Sequence, residues 1–184
     1  EPSAVRRARV RQHFLDSLDE SRLVLDTKID GFLASTHLWA GEAVYHREPI
    51  QIVYISSRQA IDPGPAVPGY AISNWAVLQL PHVLKVNLGK SADLVQSFSL
   101  MFPFIRTGMT DQYADNERVF GRWQSRMLEP SEMAEAFMAL LDQPAEQTDG
   151  GMFELMVENG DQDKVEVAWQ QVKFLYTHQP HYQI

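Results

Sequence analysis

The sequence predicts an α/β domain in which helices cover a parallel sheet, and three observations carry that reading. Ile50–Ser56 is a β-branched apolar run of strand length with almost no polar alternation, as expected of a parallel strand buried on both faces. Leu94–Phe102 and Gly151–Val157 read as two further strands, and segments with apolar residues at helical spacing stand between the three. The 184 residues, 45% apolar and 22% charged, suffice for one sizeable core, so residues 1–184 are expected to form a single domain.

Taken in order, residues Ser3 to Leu18 form an Arg-rich segment, helical or partly irregular. From Asp19 to Glu42, Leu23, Val24, Ile29, Phe32, Leu33 and Leu38 recur at helical spacing, with Ser21 or Asp19 as the expected cap. Arg47-Glu48-Pro49 then leads into the first strand. Asp62–Gly69 is a loop by its proline and glycine content. A long helix from Tyr70 to Leu88 follows, with Pro81 expected to kink it or to cost stability. After the second strand, the polar, aromatic-sprinkled stretch 108–130 reads as a lid. Pro130-Ser131-Glu132 opens a helix to Leu141, with proline at its start and acid in its first turn. Beyond the third strand, Lys164–Tyr176 is expected to be a C-terminal amphipathic helix with a polar tail.

A net charge of −8 argues against nucleic acid or an anionic membrane as the main partner, because both reward a basic surface. The basic cluster Arg6, Arg7, Arg9 and Arg11 reads first as a solvated helix face and second as a phosphate contact. With no cysteine there is neither disulfide nor thiolate chemistry. The six histidines show no ligand spacing, so no metal site is expected. No apolar run approaches the ~20 residues of a membrane helix, and the opening residues lack a secretory pattern, so the expected location is cytoplasmic.

The residues that carry chemistry are Ser57, Tyr70, Asn74 and Lys28. Reducing a carbonyl requires a proton donor and stabilisation of the charge that develops on oxygen. A phenol donates the proton, and a neighbouring ammonium favours the phenolate left behind. A serine hydroxyl aimed at the carbonyl oxygen holds the substrate. Ser57 stands at the end of a buried strand, where ligands gather in open α/β sheets. Tyr70 follows across a Pro/Gly loop, and Asn74 lies one helical turn beyond it on the same face. Lys28 sits in a stretch that otherwise faces the core, where a lysine needs a partner or a function. Singly, each residue also has a structural explanation: a strand-end hydroxyl, a helix-start aromatic, a helix amide and a snorkelling lysine.

At these residues the chain resembles the short-chain dehydrogenase/reductase superfamily. The Ser57/Tyr70 spacing, Gly69-Tyr-Ala-Ile-Ser73 and Phe102-Pro-Phe-Ile-Arg-Thr-Gly-Met-Thr110 look like its second half. In most of that family, lysine follows the tyrosine by four residues and asparagine sits on the upstream helix. Here Asn74 and Lys28 occupy each other's places, as in the ketoreductase domains of modular polyketide synthases, whose motifs Leu25-Asp-Thr-Lys-Ile-Asp-Gly-Phe32 and Tyr70–Trp75 resemble. The resemblance, which spans Ala4 to Val157, implies a Rossmann-like fold and NADPH-dependent reduction of a β-ketoacyl thioester in polyketide or fatty-acid-type synthesis. The substrate would be presented on an acyl carrier protein. It makes Tyr70 the general acid, Ser57 the carbonyl donor, Lys28 the charge that tunes Tyr70 and touches the nicotinamide ribose, and Asn74 the residue that orders the site. Pro103, Ile105 and Thr107 would line the nicotinamide pocket. Phe102-Pro103 departs from the family's Gly-Pro pairing, which implies a reshaped pocket.

The Gly-rich strand–turn–helix that receives a pyrophosphate in such folds has no counterpart in this sequence. The chain therefore reads as the second half of the fold, with the cofactor-binding half expected from another segment or chain. The alternatives are a non-catalytic, reductase-like structural or interaction module, and an enzyme of unrelated cofactor use.

Overall fold

The structure, a computed structural model, describes residues 3–64, 68–111, 127–158 and 166–172. Helix α1 (Ser3–Leu25) passes through one π turn, Asp26–Asp30, into helix α2 (Gly31–His46). The expected cap at Asp19 or Ser21 is not there: no residue from Ser3 to Leu25 breaks the helix, and Ser21 lies buried inside it. Helix α2 stops where Arg47 turns left-handed (φ 58°), two residues before Pro49.

Strand β1 (Ile50–Ser57) leads through a short 3-10 turn, Arg58–Ala60, toward helix α3 (Pro68–Leu88). That helix is continuous through the buried Pro81, which offers no N–H to the Val77 carbonyl. Strand β2 (Val95–Phe102), helix α4 (Gly108–Asp111), helix α5 (Pro130–Leu141), helix α6 (Ala145–Thr148), strand β3 (Met152–Glu158) and strand β4 (Glu166–Gln171) complete the described chain. Helix α5 starts where the sequence places it, with proline in its first turn. Glu129 and Glu132 form a reciprocal capping box there, the Glu129 N–H donating to Glu132 Oε2 at 2.7 Å. Most of the expected lid, 112–126, lies outside the described residues.

The sheet order is β1-β2-β3-β4, with the first two pairs parallel and the last antiparallel. The α/β architecture with a mostly parallel, helix-covered sheet is as the sequence predicts. The C-terminal segment is not. Glu166–Gln171 is a strand, where an amphipathic helix is expected, because the outer edge of β3 presents a row of unpaired backbone groups that an adjacent strand satisfies. Trp169 there meets Phe153 edge to face at 5.6 Å. Among the described residues β1 pairs only with β2, so its other edge is open.

The two faces of the sheet differ. Phe98, Leu100, Phe153 and Leu155 project toward Met133, Ala136 and Leu140 of α5 and form the apolar core. On the other face Ser97, Ser99 and Met101 lie under α3, and the small serines let the helix come close: Ser99 Oγ donates to the Leu78 carbonyl at 3.3 Å. At the turn before β3, Gly150 has φ 71° and a Cβ on Gly151 would lie 2.6 Å from the Phe153 ring, so both positions require glycine. No helix among the described residues is long and apolar enough to cross a membrane.

Candidate active site

The carboxyl ends of β1 and β2 lie side by side, with Ser57 in register with Phe102. Alternation along β1 turns Tyr54 and Ser56 toward the helices. Thr36 Oγ1 and the Tyr54 hydroxyl are 2.9 Å apart, and the Ser56 hydroxyl donates to the Asn74 carbonyl at 2.9 Å. Asn74 is fully buried, so all its polar groups need partners. Its Nδ2 donates to the Tyr70 carbonyl at 2.8 Å, and its Oδ1 accepts from Lys28 Nζ at 2.5 Å.

Lys28 occupies the π turn. Such a turn inserts one extra residue into the helix and rotates the side chains beyond it, and here Lys28 points at α3. Its ammonium stands 5.6 Å from the centroid of the Tyr70 ring and 6.0 Å from that of Phe32. Burial disfavours the charged form and lowers the Lys28 pKa to about 8. Burial likewise raises that of the Tyr54 phenol, whose hydrogen bond to Thr36 ties it into the packing.

The position of Tyr70 is set by its neighbour. Gly69 N–H donates to Ser21 Oγ at 3.0 Å, and a Cβ on Gly69 would lie 2.6 Å from Ser21 Cα. Glycine therefore lets α1 and the start of α3 touch, which fixes Tyr70 opposite Lys28.

Of the residues singled out in the sequence, the structure brings Lys28, Tyr70 and Asn74 together and places Ser57 at the adjoining strand end. Ser57 Oγ accepts the Gln59 N–H at 3.2 Å, so the hydroxyl keeps its own proton for an acceptor. Pro103 follows β2 at the same end of the sheet. Ile105 pairs with Leu128 and packs on the apolar core beneath α5. Thr107 is exposed and its carbonyl caps α4, accepting from the Thr110 and Asp111 N–H groups. Pro103 thus lies at the site's end of the sheet, while Ile105 serves the core.

The sequence reading missed Ser56, Phe32 and Glu154. Period-2 alternation in β1 puts Ser56, and not its neighbour, on the helix side. Phe32 stands one helical turn after Lys28. Glu154 is buried on β3 and reaches Arg58, the residue after Ser57, at 3.0 Å, while Gln170 Nε2 donates to its other oxygen at 3.1 Å. Only the strand order brings that carboxylate across the sheet. Among the described residues no cluster of side chains suits a metal ion.

No protein-family model and no curated protein matches the sequence. Solved structures do match the fold. One is a 4-hydroxyisoleucine dehydrogenase mutant complexed with NADH and succinate, 20% identical with a TM-score of 0.64, covering 74% of this chain and 57% of that one. Acetoin dehydrogenase from Enterobacter cloacae is 23% identical with a TM-score of 0.59, over 74% of this chain and 54% of that one. A short-chain dehydrogenase from Burkholderia cenocepacia J2315 in complex with NADP is 16% identical with a TM-score of 0.54, over 67% and 46%. The chain therefore has the partial Rossmann-like fold seen in these dehydrogenases and spans about half their length.

The donors present fit the nicotinamide-ribose end of such a cofactor. Lys28 uses one of its three N–H groups on Asn74, and the Tyr70 ring stands beside it. No glycine-rich helix start for a pyrophosphate occurs among the described residues.

Proposed function

We propose that this chain is the catalytic half of an NADPH-dependent ketoreductase. It reduces a β-ketoacyl thioester, presented on an acyl carrier protein, to the β-hydroxyacyl form, in cytoplasmic polyketide or fatty-acid-type synthesis. The cofactor-binding half comes from another segment or chain, which adds its strand beside the open edge of β1. The observation that carries this reading is the Lys28 ammonium, held 5.6 Å from the Tyr70 ring by a buried asparagine.

The nicotinamide cofactor, when bound, supplies the hydride. The chain's own residues do the rest. Ser57 O–H donates to the substrate carbonyl oxygen and shares the charge that develops there. Tyr70 delivers the proton to that oxygen, and the Lys28 charge favours the phenolate that remains. Asn74 spans the two helices and keeps the amine from drifting into solvent. With its pKa near 8, Lys28 is mostly protonated at pH 7, and its positive field fades above pH 8. The rate is expected to decline on that alkaline side.

The test uses the chain together with its complementing half, NADPH and a diffusible acetoacetyl thioester. Tyr70→Phe should lower the rate by roughly 10²–10⁴ while NADPH binding persists. Reduction at the normal rate by that variant would overturn the roles assigned here. A second reading, a non-catalytic interaction module, is favoured by the open edge of β1. It prevails if the complemented chain binds no NADPH.

A further inference from the structure

Among the described residues Glu154 is the only charged side chain that is fully buried, and the reduction described above makes no use of it. A carboxylate in such a place is costly unless it is paired and hydrogen-bonded. Both of its oxygens are met. Arg58 Nη1 stands 3.0 Å from Oε1, and Gln170 Nε2 donates to Oε2 at 3.1 Å. Replacing a buried ion pair by apolar side chains is often neutral for stability, so stability alone gives no reason for this one. Its place in the sheet does. Ser56 is in register with Met101, Met101 with Glu154, and Glu154 with Gln170, so the four form one row across the sheet. Arg58, two residues beyond Ser56, spans from the end of β1 past β2 to β3 along that row.

What this tether holds is the turn that carries Ser57. Ser57 is the N-cap of the 3-10 turn Arg58–Ala60, and its Oγ accepts the Gln59 N–H at 3.2 Å. The turn has three residues and is closed by the Ile61 and Asp62 N–H groups on the Arg58 carbonyl, each at 3.0 Å. A single helical turn is not stable by itself, so contacts with the rest of the fold must fix it. Ala60 packs with Leu78 and Met101, and the Arg58–Glu154 pair adds a directional tie. The turn in turn aims the Ser57 hydroxyl, because the Gln59 N–H occupies one lone pair of the oxygen and restricts where its proton can point. Tyr70 and Lys28 are placed separately, by Gly69 against Ser21 and by Asn74. The alignment of hydroxyl with phenol therefore depends on the turn staying where it is.

We propose that Glu154 is a positioning residue for the reaction: through Arg58 it orders the turn that aims the Ser57 hydroxyl, and Gln170 keeps its carboxylate in place. The inference rests on the reductase reading above. Strand β4 thereby acts on the site from the far edge of the sheet.

The test uses the full chain with its complementing half, NADPH and the diffusible acetoacetyl thioester, and it follows amide exchange at Gln59 by NMR. Glu154→Met should lower kcat by roughly 10- to 10²-fold, leave NADPH affinity unchanged and speed exchange at Gln59. Glu154→Gln, which can still accept from Arg58, should recover most of the rate. Arg58→Ala/Glu154→Met buries no charge and should unfold near the wild-type temperature, yet remain as slow as Glu154→Met. In a Ser57→Ala background, Glu154→Met should bring no further loss, because both changes act on one hydroxyl. A wild-type kcat in Arg58→Ala/Glu154→Met overturns the proposal. So does a loss in the Ser57→Ala background equal to that in the wild type, or unchanged exchange at Gln59 in Glu154→Met. Faster exchange in Glu154→Met, with no reduction by the complemented wild type, defeats the reductase reading and leaves the tether standing.

Discussion

The two faces of the sheet are built on opposite principles. Under α5, Phe98, Phe153 and Trp169 stack edge to face against leucine and methionine, with no polar side chain in the cluster. Under α2 and α3, two smaller apolar clusters around Val95 and around Leu78 and Met101 are interleaved with buried polar side chains, and Tyr54, Ser56, Ser99 and Asn74 add hydrogen bonds to the packing. The apolar face supplies stability, since burial of aromatic area is its driving force. The polar face supplies direction, since each hydrogen bond fixes an angle, and the candidate site stands at its end.

That contrast can be broken from either side. The largest effect is expected from Phe153→Ala, which opens a cavity between Phe98 and Trp169. It should cost ~3–5 kcal/mol in urea unfolding and leave the folded site's cofactor affinity unchanged once complemented. An equal loss of cofactor affinity in the still-folded variant would show that the faces are not independent. Ser56→Ala removes the donor to the Asn74 carbonyl and should cost only about 1 kcal/mol in stability, yet it should loosen Asn74 and lower the reduction rate. Unchanged turnover would assign Ser56 to packing alone.

The smallest effect concerns pH. Because folding lowers the Lys28 pKa from 10.5 to about 8, the unfolded chain binds more protons between those values. Stability contributed by this group therefore rises with pH across that window, and the cost of burying the charge is fully felt below pH 8. Paired thermal unfolding of wild type and Lys28→Met should show the wild type gaining on the variant from pH 8 to pH 10.5. Partial exposure keeps the gain modest. A constant difference across the window would mean that the amine is not buried.

Legibility tracked how local each signal was. Helix α5 could be read to the residue, because Pro130 and the Glu129/Glu132 box act within one turn. Strand β1 was legible from its β-branched apolar run, but its expected burial on both faces is not observed: only Tyr54 and Ser56, on one face, are fully covered. Strand β4 was not legible, because Glu166–Gln171 takes its structure from the edge of β3 that it covers. Asn74 and Lys28 could be named from the sequence, while the π turn that aims Lys28 at Asn74 carries no comparable mark.

By itself the sequence determined the alternation of strands and helices and the identity of the polar residues at the strand ends, because periodicity and turn chemistry act over a few neighbours. Tertiary structure alone decided that Gly69 lets α1 touch α3, that Glu154 reaches across the sheet to Arg58, and that a lysine and a tyrosine forty-two residues apart face each other. Those contacts depend on how whole elements pack, and no local pattern of residues encodes that distance.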